Sequence, residues 1–99
     1  MYHYFIPDRA IAIEFLAQID WDIVDIIYRV DPPLANGLPS ATFIYQATKI
    51  LVRFDEDGHV THLIALHLKP ATYMILDALS NEFHTTFSYQ TQRELAEGV

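Results

Sequence analysis

The chain has 99 residues, 13 carboxylates against 6 Lys and Arg, 5 histidines and no cysteine. Its length suits one domain, and a composition 52% apolar and 19% charged excludes a chain too polar to fold. The missing cysteine excludes a disulfide framework, a thiolate metal site and a cysteine nucleophile, while a net charge of −7 speaks against nucleic acid, whose phosphates need clustered Lys and Arg. The six bases (Arg9, Arg29, Lys49, Arg53, Lys69 and Arg93) are scattered along the chain. No basic leader followed by an apolar stretch opens the sequence, and no run approaches the roughly 20 apolar residues of a membrane helix. A cytoplasmic protein that does not engage membranes is the expectation. A domain this small hides only about two-thirds of its unfolded surface. So apolar a sequence is therefore expected to keep some hydrophobic surface for a partner.

Residues 2–6 read as a short strand, followed by Asp8 as a helix N-cap. The polar positions Glu14, Gln18, Asp22, Asp25 and Arg29 then recur at steps of four, four, three and four. That spacing predicts a helix over 8–29, bent near Asp20-Trp21. Ile23, Val24, Ile26 and Ile27 are β-branched, so a strand over 22–30 is the alternative. Residues 31–40, with Pro32-Pro33 and Asn36-Gly37, read as a connection. Strands Thr42 to Phe54 and His59 to Leu68 flank Asp55-Glu56-Asp57-Gly58, the clearest hairpin signal in the chain. Pro70 opens a helix over Ala71 to Glu82 with Ile75, Leu76, Leu79 and Phe83 as its apolar face. Alternation over 85–92 predicts a last strand, and residues 93–99 read as a polar tail that need not be ordered.

The expected fold is therefore a single α+β domain over 1–99, with the β-α-β-β-α-β order of a ferredoxin-like plait. Such a plait has a four-stranded antiparallel sheet with both helices on one face. It carries no function by itself.

With the turn at 55–58, residue i of the hairpin is expected to face residue 113 − i. Ile44, Gln46, Thr48, Ile50, Val52 and Phe54 then share a face with His59, Thr61, Leu63, Ala65 and His67. The opposite face, with Phe43, Leu51, Ile64 and Leu66, is also apolar. Two helices cover only one face. The other is expected to meet a protein, with Ile50, Val52 and Leu63 as interface residues and a homodimer as the expected assembly.

Three clusters are candidates for chemistry or recognition. The carboxylates Asp20, Asp22 and Asp25 fit an exposed helix stripe, and Asp55, Glu56 and Asp57 an exposed turn, both suited to a basic protein partner. Aligning Gly58 with the sixth position of a calcium loop puts Arg53 first and Ile64 last, which excludes an EF-hand. Gln46, Thr48 and His67 form the most pocket-like group, able to orient a small ligand. A zinc shared by His59, His62 and His67 is excluded, since His62 points away and the other two lie about 27 Å apart on an extended strand. No metal or cofactor is expected. No phosphate loop, G-x-S-x-G or H-E-x-x-H occurs, so no motif assigns a reaction. The leading expectation is a small acidic interaction module, a regulator or inhibitor that docks to a protein. The alternative is a small dimeric α+β-barrel enzyme or small-molecule binder, with its pocket on the open sheet face.

Overall fold

The computed structural model describes residues 2–32 and 40–91. The expected loop residues 33–39 and the tail 93–99 lie outside the described residues. The elements are β1 (His3–Pro7), α1 (Ile13–Gln18), a 3-10 helix (Trp21–Val24), β2 (Ile27–Asp31), β3 (Ser40–Tyr45), β4 (Thr48–Phe54), β5 (Val60–Ala65), α2 (Pro70–Phe83) and β6 (Phe87–Thr91). All six strands join one antiparallel sheet in the order β2-β3-β4-β5-β1-β6. The four-stranded plait is thereby overturned, because two expected elements each broke in two.

The first break ends the long helix at Gln18. Ile19 is extended, and the Asp20 carboxylate accepts from the Asp22 N–H at 3.2 Å, a local bond that competes with helix continuation. Trp21 Nε1 donates to the Leu16 carbonyl at 2.9 Å, a shorter bond beside the 3.4 Å one that the same carbonyl accepts from the Ile19 N–H at the end of α1. Asp25 then adopts the left-handed region (φ 58°), which Asp tolerates better than most residues, and the chain turns into β2. The strand alternative for 22–30 thus describes its second half. Asp8 is not a cap: α1 starts from Ala12, and the Asp8 carboxylate accepts from the Thr85 hydroxyl and from the Thr86 N–H and hydroxyl. It ties the end of β1 to the segment entering β6.

The second break falls inside the expected strand 42–54. Gln46 (φ 49°) and Ala47 (φ 62°) both take left-handed backbone and make a two-residue turn between Tyr45 and Thr48, which pair across it. Two positive φ values are the signature of the mirror-image turn that suits strand twist, usually built from Asn-Gly. Downstream of it Phe43 lies opposite Ile50 and Ala41 opposite Val52. Phe43 and Tyr45 therefore share the face of Ile50 and Val52, and Ile44 lies on the other, the reverse of the expected assignment.

The acidic turn forms a hairpin, as expected, in a different register. Asp55 and His59 pair, Gly58 is left-handed (φ 77°) and its N–H donates to the Asp55 carbonyl at 3.1 Å, giving a three-residue loop closed by the glycine. A bulge follows beside Arg53 and Phe54, so that Phe54 faces Val60 while Arg53 faces His62, Val52 faces Leu63 and Ile50 faces Ala65. The extra residue turns Val60 as well as Leu63 into the core.

One sheet face carries that core. Leu16, Trp21, Phe43, Ile50, Val52, Leu63, Ile75 and Leu79 belong to a single cluster, with α2 packed across β3 and β4. The sequence-read face of α2 is confirmed: Ile75, Leu76 and Leu79 are buried and Phe83 packs against the cluster. Pro70 opens the helix and left-handed His84 (φ 50°) ends it. Trp21 meets Phe43 edge-on at 4.8 Å between centroids, and Tyr28 packs on Phe43 at 5.0 Å. No helix among the described residues is long and apolar enough to cross a membrane.

Two substitutions test these breaks. Trp21→Phe keeps a ring beside Phe43 but removes the indole bond, leaving the Leu16 carbonyl with only the 3.4 Å bond from the Ile19 N–H, and chemical denaturation should show a loss of about 1 kcal/mol. Ala47→Gly removes the Cβ cost of a left-handed turn residue and should raise stability by about 1 kcal/mol in the same assay.

Candidate functional site

The helix layer does not close over the sheet completely. Between the 3-10 helix and α2 runs a groove whose two sections, of about 400 and 290 Å³, share Val24, Ala78 and Asn81 as walls. Its apolar lining comes from Ile19, Trp21, Ile23, Val24, Ile26 and Met74, of which Ile23 is 79% and Met74 54% exposed. Three carboxylates line it as well, Asp20 and Glu82 in one section and Asp77 in the other, while no Lys or Arg among the described residues does. Asp22 and Asp25, both exposed, project from the same 3-10 helix and its C-cap.

The expected acid triplet Asp20, Asp22 and Asp25 is thus present at the surface, on a single 3-10 turn rather than on a helix stripe. Asp20 is also the cap of that turn. Ile23 and Val24, two of the β-branched residues that made 22–30 ambiguous between helix and strand, stand exposed because a four-residue 3-10 helix has no second turn to swing them inward. No signal in the sequence marked this groove beyond the pairing of β-branched residues with acids.

The second acid group, Asp55, Glu56 and Asp57, sits on the β4–β5 turn. Asp55 is partly committed: its Oδ1 accepts from the N–H groups of Asp57 and His59, each at 2.9 Å. Potential ligand atoms of Asp55, Asp57 and His59 lie within 4.8 Å of one another. Sequence spacing fixed no carboxylate beside the histidines, and the folded turn brings Asp55 and Asp57 to His59.

The pocket-like trio is brought together in part. Thr48 and His67 line one cavity of about 210 Å³, with Lys49 and Lys69 beside them. Gln46 does not lie opposite His67; it occupies the β3–β4 turn, where its Nε2 donates to the Tyr45 hydroxyl at 3.3 Å. The two-residue β3–β4 turn takes Gln46 off the strand, and the β4–β5 pairing is itself displaced by two residues from the expected one. The expected interface residues are also elsewhere: Ile50 and Val52 are 0% and Leu63 2% exposed, and all three are spent on the core beneath the helix layer. A charge placed at any of them would disrupt folding rather than an assembly.

The face away from the helices mixes polar and apolar side chains. A shallow cavity of about 340 Å³ there is lined by Tyr4, Arg53, Thr61, His62 and Ile64 together with Phe54. The His62 ring meets Tyr4 edge-on at 5.8 Å, and its Nδ1 lies 3.1 Å from the Thr61 hydroxyl. Burial, and secondarily the neighbouring Arg53 guanidinium, hold the His62 imidazole below the usual histidine range. Asp8 is shifted down for another reason, the Thr85 hydroxyl first and then the Thr86 donors favouring the carboxylate.

Compared with known proteins, the chain matches no family model, no curated protein and no solved structure.

The two shifted groups predict distinct windows of pH sensitivity. A histidine held neutral in the folded state is protonated first in the unfolded chain, so stability should fall as pH drops through about 6.5, the ordinary histidine value, toward the lower folded-state value. Asp8 contributes stability above the ordinary carboxylate range of about 3.9, which is lost as pH falls through its own lower value. In thermal melts across pH, His62→Gln should flatten the upper window alone and Asp8→Asn the lower window alone.

Proposed function

We propose that the chain is a protein-docking module, of the regulator or inhibitor kind, that receives a basic amphipathic segment in the groove between the 3-10 helix and α2. One observation carries this reading: an apolar channel lined also by Asp20, Asp77 and Glu82, with no Lys or Arg among the described residues of its lining. Apolar surface supplies the driving force on burial, and carboxylates at the edge favour an occupant with Lys or Arg flanking its apolar face. A second copy of this chain is a poorer occupant, because it would bring the same carboxylates to the rim. The partner is therefore proposed to be a different, basic protein. The dimeric-barrel alternative leans on the plait topology, which this chain does not have, and no observation favours it.

The single tryptophan, Trp21, lines the groove and reports on it directly. A synthetic Leu/Lys peptide with helical amphipathic spacing should change Trp21 emission saturably, and its Leu/Glu counterpart should not. Ile23→Ser combined with Met74→Ser should weaken binding by about tenfold or more, as expected for loss of two exposed apolar anchors. Replacing Asp20 and Asp77 by Asn and Glu82 by Gln should flatten the salt dependence; Asn at position 20 keeps the cap. Equal response to both peptides, or variants that bind like the parent chain, would overturn the reading.

A further inference from the structure

The six-stranded sheet ends in two edge strands, and the two are not alike. β2, at one edge, carries Arg29 and Asp31, charges of the kind that keep an edge from pairing with another chain. β6, at the other, reads Phe87-Ser88-Tyr89-Gln90-Thr91, with no charge and no proline in a chain of net charge −7. Phe, Tyr and Thr all favour extended backbone. Among the described residues, no strand pairs with the outer side of β6.

The phase of the β1–β6 ladder shows which backbone groups that outer side presents. Pro7, which has no N–H, lies opposite Phe87, and the Asp8 N–H donates to the Thr86 carbonyl at 2.9 Å. Hydrogen-bonded and non-hydrogen-bonded pairs alternate along an antiparallel ladder. Ser88 and Gln90 therefore turn their N–H and C=O groups toward β1, while Phe87 and Tyr89 turn theirs away from it. The side chains of Phe87 and Tyr89 share the face of Phe5, and exposed Ser88 points to the other. Tyr89 is 44% exposed and yet held in place. Its hydroxyl lies 2.7 Å from His3 Nδ1, and its ring packs on Phe5 at 5.4 Å between centroids. A ring already fixed gives up little side-chain freedom when a partner covers it.

We infer that this edge pairs with the β6 edge of a second copy of the chain, antiparallel about a twofold axis at Ser88. In that register the outward N–H and C=O groups of Phe87 meet those of Tyr89 in the second copy, and the reverse pairing repeats across the axis. Each Phe87 side chain then lies opposite a Tyr89 side chain, a cross-strand aromatic pair made twice. The strands themselves bring no like charges together, which two copies of so acidic a chain do across most other surfaces. The homodimer expected from the sequence thus has its seam at the sheet edge, since the core occupies Ile50, Val52 and Leu63. A seam of five residues a side is small, so monomer and dimer exchange. It shares no residue with the docking groove, and the two proposals stand or fall separately.

The test is sedimentation equilibrium of the intact chain across micromolar to millimolar concentrations. The mass should rise reversibly from 11.4 kDa toward twice that value, and added salt should favour the rise by screening two acidic copies. Amide hydrogen exchange should slow with concentration at Phe87 and Tyr89 and stay constant at Ser88 and Gln90. At the axis Ser88 meets its own copy in a closely spaced pair. Ser88→Lys and Ser88→Glu should each weaken dimerisation about threefold or more at an unchanged melting temperature, because like charges then stand opposite each other. An equimolar mixture of the two variants should restore association, with opposite charges across the axis. A chain that stays at 11.4 kDa throughout, single variants that associate like the parent, or a mixture no better than either variant would overturn the proposal.

Discussion

The contact that organises this molecule is the seat of Trp21. Its indole N–H closes the end of α1 on the Leu16 carbonyl, and its ring lies 5% exposed against Phe43 on the sheet. A helix of six residues is too short to be stable by itself, because nucleation fixes more backbone than its few hydrogen bonds repay. α1 therefore persists through tertiary anchoring, by Leu16 and Trp21 below and by the Ile13 N–H bond to the Gly58 carbonyl at its start. Once Trp21 is seated, the direction of the 3-10 helix is set. Asp25 turns the chain at its end, and β2 follows as an edge strand beside β3.

The same anchor separates the molecule's charges. Because the chain leaves α1 at Gln18, Asp20, Asp22 and Asp25 are gathered on one short turn, and Asp20 lines the groove that Asp77 and Glu82 of α2 also line. A continuous helix would have spread them along its length. At the other end of α2, the two-residue turn Gln46-Ala47 fixes where β4 begins. That turn sets Thr48 and Lys49 beside His67 and Lys69. An acidic groove and a basic cavity thus lie toward opposite ends of one helix, and each depends on one local backbone reversal. The acid-rich composition gives the net sign; the two reversals give the pattern.

The parts of this fold that could be read from the sequence are those where local and tertiary preferences agree. Pro70, the spacing of Ile75, Leu76 and Leu79, and the Asp-Gly turn each carry a short-range signal that packing reinforces. Two strands were hidden for different reasons. In 8–29 the polar residues fall at helical steps by coincidence. Glu14 and Gln18 lie on α1, Asp22 and Asp25 lie on and just after a 3-10 turn, and Arg29 lies on an edge strand. Only the β-branched content of 23–30 marked the difference, and the edge of a sheet is a tertiary fact. At 46–47 the chain adopts a turn that prefers Asn-Gly with Gln-Ala, so the turn is imposed by strand pairing and carries no residue signature. The cavity beside the β3–β4 turn was legible to the same extent. Thr48 and His67 could be named from alternation, whereas Lys49 and Lys69 join them only through a register that a bulge and a missed turn had displaced.

If the groove between the 3-10 helix and α2 docks a protein as proposed, its exposed apolar residues raise a question of specificity that its carboxylates answer. Ile23 and Met74 in solvent favour association with any apolar surface, including another copy of the groove. Carboxylates at the edge oppose that self-pairing, since two copies would bring like charges together with partial loss of solvent. They oppose an acidic partner for the same reason and leave a basic one unpenalised. The repulsion works through exposed charges, so it is strongest at low salt and weakens as the screening length contracts. Under the proposed docking role, the acidity of the chain has a use beyond solubility. It narrows the set of surfaces that can occupy an apolar channel which, by shape and hydrophobicity alone, would accept many.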